Sequence, residues 1–341
     1  MLKSRCSNCE EYRKNPLIGP RCECGGIFLP EIDFKYREGD YGLNYPYLDD
    51  IISLGEVETP LVNLGELSLK LEYYSPTFSY KDRGTKTMIS WLHKLLPQGS
   101  KTNEDSSGNA GASISAYGRA AGFNVNIFIP ERTVESKVRQ ISAYGAKIHK
   151  IAGSREAVSE AAEHAEGYFA SHVLNPEFRD GMRQISYEIF RQNHHRLPDA
   201  VFIPVSAGTL LLGMISGFEH LVASGEAPNV PQIIAVQTEA VSPLCSRLNG
   251  IPYDPNKNTL SIADALVSRT PSLLPQMIES VSKYGRCITV SEEEIISAHK
   301  ELAGKGFLVE YSSATVYGAR KKMNKIGKSV LIMTGNGLKN L

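Results

Sequence analysis

The sequence carries no excess of either charge: 37 Lys plus Arg balance 37 Asp plus Glu over 341 residues. A general attraction to nucleic acid or to anionic lipid is therefore not expected. No uncharged apolar run approaches the ~20 residues of a membrane span, so no membrane partner is expected either. The first residues, M-L-K-S-R-C-S-N-C, put no apolar segment behind the basic ones and do not read as a signal peptide. Internal repeats and low-complexity tracts are lacking, and the expected location is cytoplasmic. Cysteine is scarce and uneven: of 6, four fall within the first 24 residues. Cys245 and Cys287 stand alone and are expected to be ordinary core or surface thiols.

The four early cysteines form two close pairs, C-S-N-C at 6–9 and C-E-C-G-G at 22–26, separated by a loop with Pro16, Gly19 and Pro20. Such pairs can place Cys6, Cys9, Cys22 and Cys24 tetrahedrally around Zn²⁺. The second pair is one residue tighter than the usual C-x-x-C. A stapling disulfide is the rival arrangement, which a cytosolic location disfavours; a ribbon with free thiols is the third. Four protein ligands would close the site, making any zinc structural.

What is present beyond residue 56 is an alternation of strand and helix patterns. L-S-L-K-L-E-Y at 67–73 alternates like a strand, and 84–96 has helical spacing. Strands follow at 124–130, 146–152, 200–205, 232–237 and 329–333, with helices at 135–145 and 156–165. Residues 30–50 read as an irregular connector. This alternation predicts α/β architecture, with mostly parallel sheets covered by helices on both faces. The length exceeds one compact domain of typical size and suits two such sheets. The expected division is a ribbon-like element over 1–40, a larger α/β domain from 41–75 with 185–341, and a smaller one over 76–184.

Three glycine-containing turns sit at or after strand ends, where open α/β sheets bind ligands. They are E-D-S-S-G-N-A-G at 104–111, V-S-A-G-T-L-L-L-G at 205–213 and T-G-N-G-L-K at 334–339. The first two lead into helices, whose starts offer unpaired N–H groups to a carboxylate or phosphate. Each turn taken singly is more often structural. Lys81, in P-T-F-S-Y-K-D-R-G-T-K at 76–86, taken singly reads as a surface ion-pair residue.

Together these stretches resemble the threonine synthase family within the fold-type-II pyridoxal-phosphate enzymes. Further markers are S-L-G-E-V-E-T-P-L at 53–61 and S-I-A-D-A-L at 261–266. The resemblance implies the two-domain, tryptophan synthase β-like fold with an added N-terminal ribbon, and pyridoxal 5'-phosphate as cofactor. It implies that Lys81 forms the covalent link to the cofactor aldehyde, a task suited to an amine whose pKa falls when desolvated. Asn109 would bond the ring O3′. Ser206, Ala207, Gly208 and Thr209 would cradle the phosphate, and Thr334 would face the pyridine nitrogen. Ser106, Ser107, Gly108 and Ala110 would hold the carboxylate of a small amino-acid substrate. A homodimer is the default for this architecture. The implied reaction is conversion of O-phospho-L-homoserine and water to L-threonine and phosphate. A β-replacement or β-elimination enzyme acting on serine, threonine or O-phosphoserine is the alternative, and a non-catalytic protein that kept the fold is a third reading.

The sequence departs from the family in three places. S-A-G-T has one glycine where relatives have several. Phe78 stands where many have glycine. In S-H-V-L-N-P-E-F-R-D-G at 171–181, His172 and Val173 replace an asparagine–serine pair, and Arg179 lies one residue late. His172 and Arg179 are candidates for the substrate phosphate, or else loop residues away from it. Asp82 and Arg83 read as structural, Thr85 as a helix-capping hydroxyl, and Glu310 as either supporting or structural.

Overall fold

The computed structural model describes residues 2–133, 135–257, 260–323 and 326–340. In chain order its strands and helices are β1 (Ser4–Cys6), β2 (Phe28–Pro30), β3 (Leu61–Leu64), β4 (Leu67–Leu71), α1 (Lys81–Leu95), β5 (Lys101–Glu104), α2 (Asn109–Ala120), β6 (Asn124–Pro130), α3 (Glu135–Ala143), β7 (Lys147–Ile151), α4 (Arg155–His164), β8 (Tyr168–Phe169), α5 (Pro176–Gly181) and α6 (Arg183–Gln192). There follow β9 (Ala200–Pro204), α7 (Thr209–Ala223), β10 (Gln232–Thr238), α8 (Pro243–Asn249), α9 (Leu274–Tyr284), β11 (Gly285–Val290), α10 (Glu292–Gly304), α11 (Tyr311–Lys321) and β12 (Ser329–Met333).

The chain divides into two compact units, one of residues 1–56 and 81–182, the other of 57–80 and 183–341. The first holds the parallel sheet β7-β6-β5-β8 and the antiparallel pair β1-β2. The second holds a six-stranded sheet, β11-β10-β9-β12-β4-β3, parallel except for its edge strand β3. Its central strands are continuous β-branched and aliphatic runs such as A-V-F-I-P and S-V-L-I-M, buried along their whole length, as strands covered on both faces require. One apolar core joins Leu69, Phe202, Ile234, Val236, Ala314 and Leu331 beneath α11.

Three differences from the sequence reading have physical causes. Residues 41–56 belong with the smaller sheet, because Tyr47 OH donates to Asp180 Oδ2 (2.6 Å), Ile52 N–H to Ser90 Oγ (2.9 Å) and Lys94 pairs with Asp49 (2.7 Å). Helix α1 starts at Lys81 rather than 84, with Asp82 in its first turn, where the dipole favours an acid. Cys245 and Cys287 are not separate thiols. They form a disulfide across 42 residues, α8 carrying one against β11 carrying the other. Their isolation in sequence hid a Cα–Cα separation of 4.9 Å, within bridging range. Among the described residues, no helix is long and apolar enough to cross a membrane.

The second unit also buries an ionic cluster. Lys70 Nζ donates to Glu188 Oε2 (2.7 Å), Thr59 O (2.7 Å) and Gln192 Oε1 (2.9 Å) with no solvent exposure. Removing the cation strands buried carboxylate charge, so Lys70→Ala is expected to cost about 3–5 kcal/mol. A thermal unfolding midpoint within a degree of the wild type would refute that.

Candidate active site

Two of the glycine turns emerge side by side in the larger unit, because β9 and β12 are neighbouring parallel strands. After β9, Ser206 and Ala207 are half-buried and Gly208 takes φ 101°, a left-handed conformation that starts α7. A Cβ there would also lie 2.6 Å from Met277 Sδ. The single glycine of S-A-G-T thus occupies the position that needs it. Gly208 has no side chain to cap α7, so the first N–H groups of that 15-residue helix face the loop.

After β12, Thr334–Lys339 pairs with the segment preceding Lys81. Tyr80 N–H donates to Thr334 O (3.0 Å), Asn336 N–H to Phe78 O (3.2 Å) and Lys339 Nζ to Thr77 O (2.7 Å), with a bridge between Ser79 and Gly335. Two motifs over 250 positions apart in sequence therefore meet, and Thr334 is fixed one residue from Lys81. Ser313, which sequence reasoning missed, orients Thr334. Its Oγ accepts N–H groups from Thr334 (2.9 Å) and Gly335 (3.0 Å) and lies 2.8 Å from Thr334 Oγ1. Ser313 Oγ also reaches Gly335 O (3.5 Å), so this one hydroxyl holds Thr334 and Gly335 by several bonds. The signal was the S-S pair at the start of α11. Glu310 precedes that helix, and its carboxylate lies against the Gly335 Cα, leaving no room for a side chain at 335. Among the described residues Ser79 Oγ is buried with no hydrogen-bond partner, which a bound polar group would satisfy.

Phe78 adopts φ 65° and is half-exposed. A bulky residue at positive φ is a backbone outlier, which explains physically why glycine suits this position.

In the smaller unit, Lys81 is half-buried at the first position of α1, its Nζ 5.8 Å from the Phe178 ring centre. Ser113 Oγ bonds Asp82 Oδ1 (2.6 Å) and Thr85 Oγ1 (2.8 Å), tying α1 to α2. Asp82 and Thr85 are thus structural. The S-S-G-N-A-G loop leaves the carboxyl end of β5, and α2 opens at Asn109 behind the cap residue Gly108. Gly108 N–H donates to Ser106 Oγ (3.3 Å). The Ser106 carbonyl presses on Gly111, where any Cβ would collide with it. Ser106, Ser107, Gly108, Asn109 and Ala110 thereby form one turn at the positive end of a 12-residue helix.

His172 follows β8, which pairs with β5. The buried Glu104 at the end of β5 takes its main-chain N–H at Oε2 (3.1 Å) and bonds its Nδ1 at Oε1 (2.7 Å). Burial raises the Glu104 carboxyl to about 7. Burial, then the Lys81 charge, lowers His172 well below the usual histidine range. Arg179 sits elsewhere than expected for a phosphate ligand. It is buried, with Nη1 donating to Val173 O (2.7 Å) and Leu174 O (3.3 Å) and Nη2 to Phe28 O. Its donors hold main chain together, tying α5 to β2.

The early cysteines converge. Their four Sγ atoms lie within 4.8 Å of one another, with Cys6–Cys24 at 3.4 Å and Cys9–Cys22 at 3.6 Å. All four are free thiols. Against the effect of burial, the N–H groups of Cys9 and Asn8 draw Cys6 down to about 7. Cys9, despite the lowering influence of the Glu11 N–H, is pushed up to about 12 by the Cys24 and Cys6 thiols. Thiols this crowded ionise together only around a cation, so the donor set fits a divalent metal.

Residues 52–335 match the family described as "Pyridoxal-phosphate dependent enzyme". A threonine synthase of Methanocaldococcus jannaschii is 29% identical, with 99% of this chain and 93% of that protein covered. A threonine synthase of Bacillus sp. strain ULM1 is 30% identical, with 85% of each covered. Among solved structures, an L-serine ammonia-lyase of Rhizomucor miehei superposes with TM-score 0.70 at 22% identity, covering 82% of this chain and 94% of that one; at that identity it speaks for the fold alone.

Because Phe78 is half-exposed, its replacement loses little buried area, and backbone strain decides the outcome. Phe78→Gly is expected to unfold no earlier than wild type, and Phe78→Val to lose about 1–2 kcal/mol, since a branched Cβ tolerates positive φ worst. Thermal denaturation in the reverse order would contradict the strain.

Proposed function

This chain belongs to the pyridoxal-phosphate-dependent enzyme family, in its threonine synthase branch, and from that premise we propose its reaction and the residues that perform it. It is a pyridoxal-phosphate-dependent lyase converting O-phospho-L-homoserine and water to L-threonine and phosphate. The observation that carries the residue assignments is the ladder between 77–80 and 334–339, which fixes Thr334 beside the residue preceding Lys81.

When bound, the cofactor supplies an electron sink for negative charge developing at the substrate Cα and Cβ. Lys81 would hold the cofactor aldehyde, and its amine would move protons at the substrate Cα and Cβ. The amides of Ala207, Gly208 and Thr209 with the Ser206 hydroxyl bind the cofactor phosphate at the α7 start. Asn109 hydrogen-bonds the ring oxygen. Thr334 would place its hydroxyl at the pyridine nitrogen. A hydroxyl is too weak an acid to protonate that nitrogen, so the sink stays milder than a carboxylate partner would make it. Ser106, Ser107, Gly108 and Ala110 hold the substrate carboxylate with hydroxyls and amides at the α2 start. Cys6, Cys9, Cys22 and Cys24 bind one structural Zn²⁺ as thiolates. Homodimeric assembly and a cytoplasmic location belong to the same reading.

Purified protein is expected to be yellow, and Lys81→Ala to lose the covalently linked cofactor on mass analysis. Supplied with O-phospho-L-homoserine, the wild type should release phosphate and threonine in equal amounts. Pyruvate or 2-oxobutyrate from serine or threonine, without phosphate release, would instead establish the elimination alternative. A colourless wild type that binds no added pyridoxal phosphate would end both readings.

Elemental analysis is expected to find about one zinc per chain. Cys22→Ser with Cys24→Ser should abolish zinc retention and lower the unfolding midpoint. A metal-free wild type with four thiols freely titratable would rule the zinc site out.

A further inference from the structure

The His172–Glu104 pair is a buried acid–base couple that the assignments above leave unused. Two adjacent strands deliver it: Glu104 ends β5, and His172 follows β8. The carboxylate grips His172 twice, at its main-chain N–H and at Nδ1. The loop is stiffened again because Ser171 Oγ accepts from Val173 and Leu174 N–H (both 3.3 Å). The imidazole therefore has one orientation. An ionised Glu104 can only accept, so in that state Nδ1–H donates to it and Nε2 carries a lone pair; among the described residues no hydrogen bond reaches Nε2. The side chain is 12% exposed, so it is reachable without being a surface histidine.

The pair also sits near Lys81. The Phe178 ring centre is 5.8 Å from Lys81 Nζ and 5.9 Å from the His172 ring, which meets it edge-on. The Lys81 charge acts on both Glu104 and His172. Burying a glutamate and a histidine together is costly unless both are well bonded, and a fixed imidazole backed by a carboxylate is the arrangement that makes a base.

We infer that His172 is a further catalytic residue, the general base for the water that adds at the substrate Cβ, and that Glu104 is its positioning residue. This inference rests on the threonine synthase reading. Phosphate leaves with the electron pair of its C–O bond, the proton taken from Cβ is delivered to Cγ to make the methyl group, and water then adds across the Cα–Cβ double bond. Its oxygen bonds Cβ, the proton it loses goes to Nε2, and Lys81 returns a proton to Cα. The imidazolium then passes its proton to solvent. No oxidation or reduction is involved.

His172→Asn keeps a hydrogen bond to Glu104 through Nδ2 but has no basic nitrogen. Glu104→Gln still accepts the His172 main-chain N–H, while its amide donates to Nδ1 and forces the Nε2–H tautomer, which removes the lone pair. Both variants, loaded with cofactor, are given O-phospho-L-homoserine in D₂O. Three quantities are followed by NMR: α-proton exchange, phosphate release, and the ratio of threonine to 2-oxobutyrate. The last product appears, with ammonia, when the unsaturated substrate escapes before water adds.

Exchange and phosphate release should stay within a few-fold of wild type. Threonine formation should fall on the order of 100-fold, with 2-oxobutyrate taking its place. A wild-type threonine share in both variants would overturn the inference, and so would a parallel loss of exchange, release and threonine in Glu104→Gln. Should His172→Asn not fold, Glu104→Gln decides alone. A wild type that releases no phosphate from this substrate would overturn the threonine synthase reading itself, and the inference with it.

Discussion

Helix α1 holds Lys81 where it is because two glycines let it touch α5. A Cβ on Gly84 would lie 2.6 Å from the Phe178 carbonyl oxygen, and one on Gly181 would strike Arg83 O and Thr87 Oγ1. Side chains at either place would separate the helices, and the Phe178 ring would withdraw from Lys81 with them. Close approach of two backbones is where glycine's missing Cβ outweighs its conformational cost. The contact does more than seat the lysine. It makes the short helix α5 a hub from which Glu177, Phe178, Arg179 and Asp180 reach other parts of the chain.

Those side chains explain how the N-terminal segment with its β1-β2 pair is held. Glu177 pairs with Arg13 at 2.9 Å, both side chains almost wholly buried, and Arg13 also donates to Tyr168 OH and to the carbonyls of Pro16 and Gly19. Arg179 reaches the carbonyl of Phe28. Tyr168 OH donates to Asn175, the residue before α5, at 2.6 Å. A buried ion pair is a weak source of net stability, because desolvation consumes most of the attraction. It penalises misplacement heavily, since either charge left alone is expensive. The N-terminal segment is thus fixed in position by the same helix that walls Lys81, and order in one is coupled to order in the other through a handful of bonds.

The alternation of strands and helices was legible in the sequence because hydrophobic period and flanking glycines are local properties. β6 and β12 fall at 124–130 and 329–333, as their apolar runs indicate. Elements whose stability comes from pairing alone were not legible. β8 is two residues long and exists only because β5 offers it an edge. The Cys245–Cys287 bridge depends on α8 packing against β11, which no spacing rule encodes. Of the candidate site, the glycine turns and the lysine motif were legible by composition. Ser313 and Glu104 were not, since their roles lie in orienting Thr334 and His172. Arg179 misled for the opposite reason. Arginine beside a proline-initiated helix suits an anion, yet the carbonyls of Val173, Leu174 and Phe28 claim its donors first.

The helix starts divide by the same accounting of donors. α4 and α10 begin with Ser154 and Ser291, whose hydroxyls accept the N–H groups of Ala157 and Glu294; α10 adds a reciprocal bond from Glu294 and three acids in its first turn. Their orphan amides are satisfied by the chain itself. α2 and α7 begin with Gly108 and Gly208, which have nothing to offer those amides. At Gly108 a serine would serve the helix better in isolation, whereas at φ 101° position 208 could carry one only with strain. Glycine at 108 gives up that local stabilisation, and each helix start is left a positive end lined with donors. Both such helices stand at the carboxyl ends of sheet strands, where α/β folds take their ligands. Leaving those two helix starts without a side-chain cap suits the ligand-binding reading proposed for them.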